Sequence, residues 1–151
     1  MLTPTVSSIF SPKTPSFDEK ISLIKKIFED KENSTEKYSY LIDLGRKLPS
    51  IDPMYKTEEF LVHGCQSLLY IHAEKKDGFI FFSAHSDSLI SSGLAGLLIY
   101  AYGGEKLETI LSHPPHFLLD LGIYASLSPN RAQGIGNIFR KMKILAALLT
   151  R

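Results

Sequence analysis

The sequence predicts a segregated α+β fold, with a small antiparallel sheet and helices packed around it. Three observations carry that expectation. Apolar residues recur at helical spacing near the start of the chain and again at its end. Between them lie two adjacent stretches rich in aromatic and β-favouring residues, separated by Asp77-Gly78. The order is helices, one hairpin, then helices, and not the strand–helix alternation that builds a parallel sheet.

Residues 1–15 hold three prolines, many hydroxyl residues and one charge. They lack the continuous apolar centre of a secretory signal and contain no arginine, so they read as a flexible tail ahead of one domain over 16–151. Ser16 and Glu19 have capping-box spacing, which opens a helix. Its stripe is Phe17, Ile21, Ile24 and Phe28, with Lys20, Lys25 and Lys31 expected on the opposite, solvated face. Asn33 and Ser34 open a second helix that turns Tyr38, Leu41, Ile42 and Leu48 inward and stops at Pro49. A loop is expected from Ile51 to Glu59.

Strands follow over Ser67–Glu74 and Phe79–Ala84, joined at Asp77-Gly78, where glycine accepts the positive φ of a tight turn. Phe79 to Phe82 is apolar without alternation, which predicts a strand covered on both faces. Ser86 is a cap for a helix over Asp87–Tyr102 that ends at Gly103-Gly104. Gly93 and Gly96 inside it imply close packing, expected to be against the sheet. Glu105–Leu111 and His116–Leu121 read as short helices around Pro114-Pro115. Ser128-Pro129 starts a closing helix with a cap and a first-turn proline. Ile135, Ile138, Met142, Leu145 and Leu149 form its buried stripe, and Arg140, Lys141 and Lys143 stand off it.

Composition narrows the function. At 151 residues the chain suits one domain with a real core. Seventeen Lys and Arg against sixteen Asp and Glu leave a net charge of +1, so no nucleic-acid partner is implied. The longest apolar run, Leu94 to Tyr102, is about half of the ~20 residues a membrane helix needs. A single cysteine excludes an intrachain disulfide framework and fits a reducing, cytoplasmic setting.

That cysteine is the main candidate for chemistry. Cys65 precedes the first strand, within Val62-His63-Gly64-Cys65-Gln66-Ser67. Two readings stand side by side. A lone cysteine beside apolar sequence is commonly an inert small hydrophobe. Against that, Gly64 permits a sharp turn, His63 and Gln66 suit a loop tip, and His63 is placed to favour the thiolate. Cys65, His63, His72, His85, His113 and His116 are the available metal ligands, but no recognised zinc spacing occurs, and no metal site is expected. A Cys-His enzyme would need a histidine oriented by a third group, which chain order does not reveal. The glycine pairs at Gly93/Gly96 and Gly134/Gly136 lack the strand and lysine of phosphate-binding loops. Arg131 sits in a helix first turn, against the dipole, which suggests use outside its own helix.

Four segments in order resemble the SufE family of sulfur acceptors. Glu36-Lys37-Tyr38 to Leu44-Gly45, then Leu48-Pro49, is similar to that family's second helix. Val62-His63-Gly64-Cys65-Gln66-Ser67 resembles its V-x-G-C-x-S cysteine loop. Ser86-Asp87-Ser88 leading to Gly93-Leu94 resembles its S-D-A…G-L segment, and Leu127-Ser128-Pro129-Asn130-Arg131 with Gly134 its L-(S/T)-P-S-R…G segment. Tyr70 stands where many members have tryptophan, and Ser88, Asn130 and His63 also depart from the pattern.

The resemblance implies a SufE/IscU-like fold and a defined role. A group II cysteine desulfurase, carrying pyridoxal phosphate, would pass persulfide sulfur to Cys65 and be stimulated by it, with an iron–sulfur scaffold downstream. His63, Gly64, Gln66, Ser67, Asp87 and Arg131 would support the loop or meet the partner. The chain itself would need no cofactor, and pairing into a homodimer stays open. Two other readings remain: a U-type cluster scaffold, although those use three cysteines, and a free-standing Cys-His thiol enzyme.

Overall fold

A computed structural model describes residues 15–65 and 67–150. All but the last residue of the expected tail, and Gln66, lie outside the described residues.

Local capping sets the first two helices. Ser16 Oγ accepts from Glu19 N at 3.2 Å and starts α1 (Phe17–Glu29), and Asn33 Oδ1 accepts from Glu36 N at 3.0 Å and starts α2 (Ser34–Arg46). The face α1 buries includes Ile24, Ile27 and Phe28, but also Lys20, which is only 3% exposed. Lys20 therefore does not lie on the solvated side as expected. Its ammonium pairs with Glu105 at 2.9 Å and donates to Gly103 O at 3.1 Å, which compensates a burial that would otherwise be costly. The buried residues of α2 are Tyr40, Leu41 and Leu44, a stripe rotated from the predicted one, with Tyr38 and Leu48 only partly covered. Two short 3-10 turns, Pro53–Tyr55 and Glu58–Phe60, occupy the expected loop.

Strands β1 (Leu69–Lys76) and β2 (Phe79–Ser86) pair antiparallel, with Leu69 opposite Ser86 and Lys76 opposite Phe79. The turn residues Asp77 and Gly78 both have positive φ, 54° and 86°. In β2, Ile80, Phe82 and Ala84 are buried while Phe79 and Phe81 are exposed. The strand is thus covered on one face only, because a two-stranded sheet has helices against one side here; its apolar run hid an ordinary alternation.

α3 (Leu89–Tyr102) is buried along most of its length and packs on α2 and on β2. Its cap is Ser88 and not Ser86. Gly93 lies against the Leu41 carbonyl of α2, and a Cβ on Gly45 would stand 2.7 Å from Gly93 N. The glycines serve a helix–helix contact, not helix against sheet as expected. After α4 (Leu107–Ser112) and 3-10 turns at His116–Leu121 and Tyr124–Ser126, α5 (Pro129–Leu149) closes the fold against β1 and α3. Ile135, Ile138, Met142 and Leu145 are buried as predicted, whereas Leu149, in the last turn, is exposed. Among the described residues no helix is long and apolar enough to cross a membrane.

Candidate functional site

The loop carrying Cys65 is closed at its base by backbone pairing. Val62 N donates to Leu69 O at 2.8 Å, and Leu61 bridges Tyr70. From the far end of the hairpin, Leu68 is clamped twice. Ser86 Oγ donates to Leu68 O at 2.7 Å, and Asp87 Oδ1 accepts from Leu68 N at 3.1 Å. Asp87 is an exposed carboxylate whose visible work is thus on the loop backbone. Gly64 turns the chain at φ +84°, and its carbonyl accepts from Asn137 Nδ2 on α5 at 3.3 Å.

A polar chain stiffens the loop from below. Arg131 N donates to Ser128 Oγ at 3.3 Å, the cap of α5. The guanidinium Nη1 reaches across to Ser88 Oγ at 2.9 Å and Ser91 Oγ at 3.1 Å, at the cap and in the first turn of α3. Ser91 Oγ then lies 2.5 Å from Ser67 Oγ, two residues beyond the thiol. Arg131 is accordingly an internal strut tying α5, α3 and the cysteine loop together. Its charge-assisted bonds are among the stronger kinds.

The thiol itself is half-buried. A Cβ on Gly134 would be 3.6 Å from Sγ, so the absence of a side chain there leaves space beside the sulfur. That space is a recess of about 10 Å³, room for the centre of roughly one water-sized sphere. Cys65, Ser67, Ser91 and Arg131 line it together with Leu94, Asn130, Gly134 and Ile138. Burial pushes the Cys65 thiol above its ordinary range. A raised pKa lowers the share of the sulfur present as the reactive thiolate.

Of the residues singled out from sequence, Cys65, Ser67 and Arg131 share the recess, Gly64 makes the turn, and Asp87 fixes the loop's far end. His63 does not join them. Its side chain is 66% exposed, its Nε2 lies 3.6 Å from Glu58, and it faces a separate groove with Asn137 and Arg140. It is not placed to lower the thiol pKa. Gln66 lies outside the described residues. Ser91 and Asn137 were not foreseen. Ser91 is the third residue after the Ser88 cap and donates its N–H to Ser88 Oγ at 3.3 Å, a capping spacing that was the available signal for Ser91. For Asn137 the sequence offered none.

Fold and site define a class: an α+β protein that presents its sole cysteine from a clamped loop, above a small recess between two helices. Residues 22–146 match the family described as "SufE: Fe-S metabolism associated domain". The chain belongs to the SufE family. It is 34% identical to the cysteine desulfuration protein SufE of Wigglesworthia glossinidia brevipalpis over 140 residues, covering 88% of this chain and 93% of that protein. It is also 34% identical to SufE-like protein 1, chloroplastic/mitochondrial, of Arabidopsis thaliana over 127 residues, covering 82% of this chain. This chain spans about a third (34%) of that plant protein's length. Among solved structures, a hypothetical protein from Thermus thermophilus shares the fold with a TM-score of 0.70. Its identity is 22%, with 89% of this chain and 95% of that chain covered.

Proposed function

We propose that this protein accepts persulfide sulfur on Cys65 from a pyridoxal-phosphate-dependent cysteine desulfurase of group II, stimulates that enzyme, and passes the sulfur toward iron–sulfur cluster assembly. The observation that carries the reading is the setting of Cys65. It is the chain's sole cysteine, on a loop anchored at Leu68, Gly64 and Ser67, beside a recess of atomic size. Names of relatives that refer to cysteine desulfuration support the same direction.

The exchange balances without an external oxidant. The Cys65 thiolate attacks the outer sulfur of the donor's Cys–S–SH, a new S–S bond forms to Cys65, and the donor's inner sulfur leaves as thiolate. One thiolate is consumed and one released. Because burial raises the Cys65 pKa, the thiolate is scarce in the isolated protein. Donor docking supplies activation, by drawing the loop outward or by bringing positive charge to the sulfur. Arg131 and Ser91 keep the loop in register until then. His63, exposed and with its ring 3.6 Å from Glu58, gives the Cys-His enzyme reading no support.

The test is intact-mass spectrometry after incubation with a group II desulfurase and L-cysteine. A gain of sulfur that reductant reverses, and that Cys65→Ser lacks, is the expected result. No gain beside a demonstrably active desulfurase would contradict the assignment.

A further inference from the structure

A second feature lies on the other side of the cysteine loop. α5 carries Arg131, Arg140, Lys141 and Lys143 and not one carboxylate, in a chain of net charge only +1. Arg131 is turned inward. Beside Arg140 and Lys141 runs a groove of about 240 Å³, lined by His63, Asn137, Arg140, Lys141 and Ile144. Lys141 Nζ donates to Glu59 O at 2.6 Å, so a backbone carbonyl holds it in place. Glu58, beside His63, is a carboxylate at the rim. The groove also has an apolar side. Ile144 is 45% exposed, and Leu148, one turn further along α5, is 48% exposed. Apolar surface beside a largely cationic rim is what a protein partner uses.

We infer that this groove receives an acidic segment of the sulfur donor, with one or two apolar side chains set on Ile144 and Leu148 and carboxylates against Arg140 and Lys141. The inference rests on the sulfur-acceptor reading and specifies where, and with what chemistry, the donor is gripped. Position gives the groove its purpose. Asn137 lines it and also holds Gly64 O at 3.3 Å, one residue before the thiol. A segment seated there therefore touches the residue that latches the loop, and displacing that amide frees the Gly64 turn. Docking and exposure of Cys65 become one event.

The experiment compares wild type, Arg140→Glu and Arg140→Lys in two loading reactions read by intact mass. One uses the desulfurase with L-cysteine; the other uses inorganic polysulfide, in which the Cys65 thiolate takes one terminal sulfur from H₂Sₙ and releases HSₙ₋₁⁻. Binding of the desulfurase is followed separately by fluorescence anisotropy on Cys65→Ser backgrounds. The expected result is desulfurase binding and loading slowed about tenfold in Arg140→Glu at low salt, since steering by a charged patch has that magnitude or more. The difference should shrink at 1 M salt, where screening reaches about 3 Å. Arg140→Lys should stay near wild type, and polysulfide loading should be equal in all three. Unchanged desulfurase binding by Arg140→Glu, with sulfur transfer intact, overturns the groove and spares the acceptor reading. Wild type that polysulfide loads but the desulfurase neither binds nor loads overturns both. Arg140-dependent binding to phosphatidylserine vesicles in place of the desulfurase overturns it in favour of a membrane surface.

Discussion

Replacing Gly64 by alanine tests whether the loop is held as described. The new Cβ would sit at φ +84° and 2.6 Å from Asn137 Nδ2. A left-handed backbone costs an L-residue about 1–2 kcal/mol. The stiffer unfolded chain returns about 0.4–1 kcal/mol, leaving a net cost near 1 kcal/mol. In addition, the Asn137 amide must swing aside and give up its 3.3 Å bond to Gly64 O, about 1 kcal/mol more. The sum is about 2 kcal/mol. Gly78→Ala is the control, because φ is +86° there but nothing lies within 4 Å. It should lose only the strain term, about 1 kcal/mol. Urea midpoints at constant slope would measure both losses, and the rate of maleimide addition would report on Cys65. Gly64→Ala should lose about twice as much stability and react faster, while Gly78→Ala keeps the wild-type thiol rate. Equal losses with unchanged thiol reactivity would refute the latch.

Other perturbations follow from the same geometry. Gly93→Ala drives a Cβ into the Leu41 backbone and should destabilise by about 1–3 kcal/mol despite alanine's better helix propensity. Gly136→Ala, with open space around it, should stabilise by up to about 1 kcal/mol, and thermal unfolding of the two variants checks both signs. Lys20→Ala leaves Glu105 and the Gly103 carbonyl without their cation at a buried site, for an expected loss of about 3–5 kcal/mol in denaturant titration. For Cys65 the folded pKa is raised by burial, so the midpoint of iodoacetamide alkylation against pH should lie above that of free cysteine. The sign for stability follows. Its contribution is fully present below the unfolded value of about 8.5 and is lost as pH rises through the folded value, a loss that Cys65→Ser should remove.

What the sequence disclosed was local. Ser16, Asn33 and Ser128 cap helices through bonds three residues long, and Asp77-Gly78 makes its turn within four, so all were legible. What it concealed depends on distant partners. Lys20 is buried because Gly103 and Glu105 meet it 83 and 85 residues later, which no helical period announces. Gly93 lacks a side chain because Leu41 of another helix passes there. Ser86 and Ser88 are equally good caps on paper. The helix starts at Ser88 because Ser86 is still the last residue of β2, donating to Leu68 O and accepting from Ser88 N. At the site, the cysteine, the turn glycine and the arginine were readable from motif. The strut from Arg131 to Ser88 and Ser91 spans 43 and 40 residues and was not. His63 adjoins the thiol's loop in sequence, yet its ring faces Glu58.

The most direct test of sulfur acceptance is a single-turnover transfer. A group II desulfurase is charged with radiolabelled sulfur from L-cysteine, freed of substrate, and mixed with this protein. The predicted result is reductant-labile label on the wild-type chain within the mixing time of one turnover, and none on Cys65→Ser. Label that stays on the desulfurase, or reaches Cys65→Ser equally, would contradict the proposal that Cys65 is the acceptor.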